Sequence, residues 1–218
     1  MFRVKICGVR LNKDVQAVGD AGADAIGLNF FQPSIRSLPP FDEATRELSA
    51  FAQRLGLYRV GVFVNEPAEH VLRVAGFVGL DAIQLHGDES LSDVHALSDC
   101  GLDLLRAIKI PSGKQTVASI SAASEAWAAA GFHLLFDADA GPMHGGGGRT
   151  LDWPSIRNWA EKNPSIPWTL AGGLTPENVA EAIAATSANS VDTASGVESP
   201  RGVKNADSID SFVRNSRA

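Results

Sequence analysis

Short β-branched apolar runs alternate along this chain with longer, alanine-rich amphipathic stretches. The runs at 2–7, 24–30, 58–64, 81–86, 103–109, 132–137, 166–171 and 189–194 read as strands. Most are nearly continuously apolar, the pattern of strands covered on both faces in a parallel sheet. The stretches near 12–21, 42–54, 67–77, 90–99, 115–130, 153–162, 176–186 and 206–215 predict helices. Asp42 stands where an N-cap belongs, and Thr175-Pro176 suits a cap followed by an N1 proline.

Strict alternation of this kind calls for parallel βαβ units, and eight of them close on themselves without leaving a sheet edge. The main competitor is an open doubly wound sheet. It usually needs fewer strands and a glycine-rich first turn, whereas here that turn is Cys7-Gly8-Val9-Arg10. The expected fold is therefore α/β, a single (β/α)8 TIM barrel. The phrases GADAI, GLDAI and CGLDLL before strands 2, 4 and 5 hint at repeated βα units but do not establish a duplication. No proline- or serine-rich linker interrupts the pattern, so 1–218 is expected to be one catalytic domain.

Composition narrows the function classes. Hydrophobic residues make up 44% and charged residues 20%, which excludes wholesale disorder. The formal net charge of −6 disfavours a nucleic-acid partner. No run of roughly 18 apolar residues occurs, so no membrane span is expected. The start, Met1-Phe2-Arg3-Val4-Lys5-Ile6, reads as a strand and not as a signal peptide. Cys7 and Cys100 match no disulfide framework, which fits free thiols in a reducing cytoplasm. Monomer and homodimer both stay open.

In such barrels the chemistry sits at the C-terminal strand ends and the loops that follow. Those positions hold Cys7, Asn29, Asn65, Gln84 to His86, Lys109, Asp137, Ala171-Gly172-Gly173 and Asp192 through Gly196. Polar residues collect there while strand interiors are apolar, which points to a polar ligand. The loops after strands 7 and 8, Gly172-Gly173 and Ser195-Gly196, offer backbone N–H groups and a hydroxyl for a phosphate. The alternative is that these glycines only serve tight turns. The run Gly145 to Gly148, with Gly147 and Gly148 toward its end, is either a flap over substrate or a passive linker.

A thiol made partly anionic by Lys5 or Lys109 would serve as a general base at Cys7, against the simpler reading of a buried core cysteine. Cys100 has no polar company and reads as structural. Asp137, emerging from strand 6, is a candidate proton donor if desolvation raises its pKa; Asp139 is its rival, and a loop cap the bland alternative for either. Arg36 would clamp a carboxylate through its planar fork, or else is a surface arginine. The histidines lack metal-ligand spacing, so no metal is expected. Walker A, dinucleotide and G-x-S-x-G signatures are absent.

Taken together, VKICGVR at 4–10, DAIGLNFFQPSIR at 24–36, VGVFVN at 60–65, DAIQLHG at 81–87, LLFDA at 134–138, GGGGRTLDW at 145–153, LAGGLTPENV at 170–179 and VDTASGVESPRGVKN at 191–205 resemble the phosphoribosylanthranilate isomerase family of tryptophan biosynthesis. The resemblance implies an Amadori rearrangement of N-(5′-phosphoribosyl)anthranilate, a small phosphosugar substrate, with no cofactor. It implies Asp137 as general acid, Cys7 as general base, and Arg36 on the anthranilate carboxylate. It implies Gln84, His86 and Asp192 around the sugar, and Gly172, Gly173, Ser195 and Gly196 on the phosphate. Departures from the family pattern are Thr193 and Ala194 in place of a valine and serine, Gly147 and Arg149 in the glycine loop, and Asp139 where lysine is usual.

Four other readings compete. A pentose-phosphate epimerase would show metal-ligand histidines at the strand ends. An indole-glycerol-phosphate synthase would have a lysine acid and an extension before strand 1. A dual-substrate isomerase would carry a glycine pair after strand 3, where Asn65-Glu66-Pro67 stands. A non-catalytic phosphate binder would not need both Cys7 and Asp137.

Overall fold

The computed structural model describes residues 1–111, 113–138 and 151–218. Eight parallel strands close into a barrel in the order of the chain, and the first pairs with the last. They are β1 (Val4–Cys7), β2 (Ala25–Asn29), β3 (Tyr58–Phe63), β4 (Ala82–Leu85), β5 (Asp103–Ile110), β6 (His133–Ala138), β7 (Trp168–Leu170) and β8 (Val191–Thr193). The α-helices among the described residues are α1 (Asn12–Asp20), α2 (Glu43–Arg54), α3 (Ala68–Val78), α4 (Val117–Ala129), α5 (Trp153–Lys162), α6 (Val179–Thr186) and α7 (Ala206–Asn215). None is long and apolar enough to cross a membrane.

The nearly continuous apolar strands are explained by burial on both faces. Alternate residues such as Ile6, Leu28, Leu85, Phe136 and Val191 join one core with the inward faces of the helices, including Val15, Leu48, Val71, Trp159 and Phe212. The other set points into the barrel. There Ala25, Val60, Ala82 and Leu105 pack with Phe2, and Ala107, Leu135 and Ala171 form a separate cluster further along. Because successive side chains alternate between faces, the next inward positions up each strand are fixed. After Leu105 and Ala107 comes Lys109; after Leu135 comes Asp137; after Ala82 come Gln84 and His86; on β1 they are Lys5 and Cys7. The barrel interior is thus apolar below and polar at its C-terminal mouth.

Two expectations change. The stretch 90–99 is not an α-helix: it holds only a 3₁₀ turn at His95–Leu97. The Ser90 amide and hydroxyl both donate to Asp93 Oδ2, at 2.9 and 2.6 Å, and Ser92 Oγ lies 2.7 Å from Ser90 Oγ. These bonds resemble a helix start, but Ser90, Ser92, Asp93, Ser98 and Asp99 are poor helix formers and the segment does not propagate beyond turns. Helix α6 begins at Val179 with Asn178 as its N-cap residue, not at Thr175-Pro176. Asn178 Oδ1 accepts from the Thr175 amide at 2.8 Å and its Nδ2 donates to the Gly173 carbonyl at 3.0 Å, so 174–178 folds back as a turn on the β7 loop. Asp42 does occupy the N-cap position of α2, without a side-chain capping bond.

Candidate active site

The polar mouth is a cavity into which the strand ends project. Cys7 enters from β1, Gln84 and His86 from β4 and the residue beyond it, Asp137 from β6, and Asp192 from β8. The loops after β2, β7 and β8 add Arg36, Gly172, Gly173 and Ser195. Residues drawn from four strands and three loops, scattered over the whole sequence, therefore meet in one place. Asn29, Ser34 and Ala194 line it as well. Gly196 is not among the lining residues; it sits in the 3₁₀ turn Ser195–Val197, where an added Cβ would overlap the Leu174 carbonyl oxygen. Gly147, Gly148 and Asp139 lie outside the described residues. Lys109 stays at the rim, its ammonium 2.7 Å from Asp88 Oδ1 and absent from the cavity wall.

Lys5 is the most heavily buried ion of the site. It has no solvent exposure, and its Nζ lies 2.7 Å from Asp192 Oδ1, across the β1–β8 pairing that sets Lys5 opposite Asp192. Burial works against the ammonium, but the charges of Asp192 and Cys7 outweigh it and its pKa is raised. For Cys7 the balance runs the other way. Burial pushes the thiol up, Lys5 pulls it down, Asp192 opposes Lys5, and Lys204 and Arg36 pull down more weakly; the outcome is a raised pKa. The electropositive company expected for this thiol is present, yet its ionisation is offset by Asp192 and by the dry surroundings.

On the opposite wall, Gln84, His86 and Asp137 form a chain. Gln84 Nε2 is 3.0 Å from His86 Nδ1, and His86 Nε2 is 3.2 Å from Asp137 Oδ2. An amide nitrogen can only donate, so Nδ1 accepts and the imidazole proton resides on Nε2, facing Asp137. Asp137 Oδ2 is thereby an acceptor, which leaves Oδ1 toward the β7 loop. Gly172 makes room there: with φ of 79°, its backbone lies so close that a Cβ would come within 2.6 Å of the Ala138 amide nitrogen and 3.3 Å of Asp137 Oδ1. Gln84 Oε1 is buried without a partner among the described residues. Such an acceptor usually marks a place where a hydroxyl or water belongs.

The loops after β7 and β8 are held together from behind. Thr193 Oγ1 donates to the Leu174 carbonyl at 2.7 Å, joining the β7 and β8 loops. The family model for N-(5′-phosphoribosyl)anthranilate (PRA) isomerase matches residues 4–215.

The chain belongs to this family.

Among its relatives, the N-(5′-phosphoribosyl)anthranilate isomerase of Acinetobacter calcoaceticus is 38% identical over 215 residues, covering 97% of this chain and 95% of that one. The crystal structure of phosphoribosyl anthranilate isomerase from Thermotoga maritima matches with a TM-score of 0.85 and 33% identity, over 100% of this chain and 99% of that one. A second phosphoribosyl anthranilate isomerase structure, solved with reduced 1-(o-carboxyphenylamino)-1-deoxyribulose 5-phosphate, matches with a TM-score of 0.82 and 32% identity, again over 100% and 99%.

Two supporting networks of this isomerase-family site were not read from the sequence. Glu89 accepts from the amides of Asn65 at 2.8 Å and Gly87 at 3.0 Å, and it pairs with Arg106, which stacks on Trp127 at 4.4 Å. This fixes the loop that follows His86. Glu198 binds Arg36 and Lys204. Both carboxylates stand in polar loops, and their partners are 17 and 162 residues away for Arg106 and Arg36. Nothing local in the sequence announces either pairing.

Proposed function

We propose that this chain catalyses the Amadori rearrangement of N-(5′-phosphoribosyl)anthranilate to 1-(2-carboxyphenylamino)-1-deoxyribulose 5-phosphate. The observation that carries the reading is that a thiol and a carboxyl group line one cavity, flanked by an arginine fork and by two glycine-containing loops. Asp137, as general acid, gives a proton to the ribose ring oxygen as the C1–O bond breaks, and the nitrogen lone pair forms the C1=N Schiff base. Cys7 as thiolate removes the C2 proton; that electron pair forms the C1=C2 bond while the C1=N π pair returns to nitrogen, giving an enolamine. Tautomerisation puts a proton on C1 and a carbonyl at C2. The changes balance within the substrate, so two proton-transferring groups suffice.

Arg36 takes the anthranilate carboxylate in this scheme. Gly172, Gly173, Ser195 and Gly196 serve the phosphate, and Gln84, His86 and Asp192 the sugar hydroxyls. The unpartnered Gln84 Oε1 supports that placement, because an acceptor on the wall suits a ribose hydroxyl. Gly147 and Gly148 would close over the ligand. The unit of activity is 1–218 acting as one domain, and the two free thiols suit a reducing cytoplasm.

The test is the loss of fluorescence of freshly made phosphoribosylanthranilate on adding the purified protein. Failure of folded protein to consume it would overturn the reading. A pH prediction follows from the charges around Cys7. A thiolate base makes kcat/KM climb as pH rises through the thiol pKa, and Lys5 lowers that pKa. Lys5→Met should therefore move the climbing limb to higher pH, with about a tenfold loss at neutral pH for each unit moved. It should also cost roughly 3–5 kcal/mol of stability, because Asp192 is left buried without its partner. A pH–rate profile and a thermal melt check both parts.

A further inference from the structure

Arg36 is held by more than its loop. Its Nε and Nη2 each lie 2.6 Å from the carboxylate oxygens of Glu198, a two-pronged contact along one side of the guanidinium. That leaves its end edge, Nη1 and the second Nη2 hydrogen, with no hydrogen bond to the described residues, on a side chain that lines the cavity. The aliphatic stem runs over Gly8, whose φ of 74° and lack of a side chain are both needed: a Cβ there would overlap Arg36 Cδ. Stem and side edge are thus fixed, and the free edge is aimed.

Glu198 is anchored in turn. Its side chain is 1% exposed, and it accepts from Lys204 Nζ at 2.9 Å and from the Gly202 amide at 2.8 Å. Burial pushes this carboxyl up, but the Arg36 bonds, the Lys204 charge and the Gly202 amide outweigh it and bring it down to about 2. Lys204 Nζ also donates at 2.7 Å to the carbonyl of Ala194, next to Ser195. The arginine fork and the loop after β8 therefore share one carboxylate. With two cations about one anion, the cluster keeps a net positive charge toward an anionic ligand, and a planar fork recognises a carboxylate only in the orientation it is given.

We propose that Glu198 is a positioning residue that aims the free edge of Arg36 at the substrate's ring carboxylate and ties that grip to the loop after β8. The inference rests on the isomerase reading. A structural staple would hold the loops together without selecting among ligands, whereas an aiming residue acts only on ligands that carry the carboxylate.

The experiment compares wild type with Glu198→Gln on two ligands, the reduced product analogue and its counterpart lacking the ring carboxylate. Affinity for the first should fall about 10- to 100-fold, the range of a charge-assisted hydrogen bond. KM should rise in step while kcat stays within about threefold, since Glu198 touches no reacting atom. The ligand without the carboxylate should bind both proteins equally. Equal loss on both ligands, or loss on neither, overturns the proposal. If a thermal melt finds the glutamine variant unfolded, Glu198→Asp keeps the charge and withdraws the oxygens by one methylene; it should give the same ligand-selective loss, and its absence overturns the proposal too. A wild-type protein that leaves phosphoribosylanthranilate unconsumed would instead refute the isomerase reading itself.

Discussion

A Cys7→Ala protein is expected to fold, to bind the product analogue, and to turn over phosphoribosylanthranilate about 10³ to 10⁴ times more slowly, the upper part of the range for losing one acid–base group. Loss of a base at C2 removes about 4–5 kcal/mol of transition-state stabilisation at that ratio. The residual rate should not respond to the thiol limb of the pH profile. The substitution deletes a single sulfur from the cavity wall, so little packing is lost and affinity reports an intact site. Cys7→Ser should not rescue, because a hydroxyl does not reach the anion that Lys5 helps a thiol to form. Steady-state fluorescence kinetics and titration with the reduced analogue decide the matter. Near-normal kcat in the alanine variant would remove Cys7 from the reaction.

Asp137→Ala is expected to lower kcat by about 10² to 10⁴, since ring opening without a proton donor expels an alkoxide. His86 is the only titratable side chain in hydrogen-bond reach of Asp137 among the described residues, and its proton points at Asp137 Oδ2. Two controls make the assignment sharp. His86→Ala should slow the reaction less than Asp137→Ala. Asp139→Ala should keep activity near wild type. A variant set in which Asp137→Ala stays active and Asp139→Ala does not would transfer the acid role to Asp139.

The barrel was legible because burial on both strand faces writes itself as apolar runs, and because alternation of strand and helix restricts the topology. The candidate list at the strand ends followed from one geometric rule, that inward positions there point into the mouth of the barrel. Cys7, Gln84, His86, Asp137 and Asp192 obey it and reach one cavity. Lys109 obeys it by parity, yet Asp88 draws its long side chain to the rim. The helix expected at 90–99 failed for a local reason, a segment holding Ser90, Ser92, Asp93, Ser98 and Asp99, poor helix formers that leave only a 3₁₀ turn. What stayed hidden were the partners across the fold. Arg36 read as a clamp or a surface residue, and only the folded chain brings Glu198 to it. The raised pKa of Cys7 was equally out of reach, since it reflects burial and a carboxylate that arrives from β8.

The seam between β1 and β8 carries a consequence for the order in which the enzyme comes into being. Lys5 and Asp192 are 187 residues apart, and the chain is made from its N-terminus. While a ribosome is still extending it, the first strand exists with its lysine and thiol but without the carboxylate that makes burying that lysine tolerable. Until β8 emerges and docks, β1 is best kept wet, so the nascent protein carries a cysteine that is accessible and not yet enclosed. Barrel closure and enclosure of the thiol are then the same event, and a truncated product lacking the last strand cannot complete the cavity.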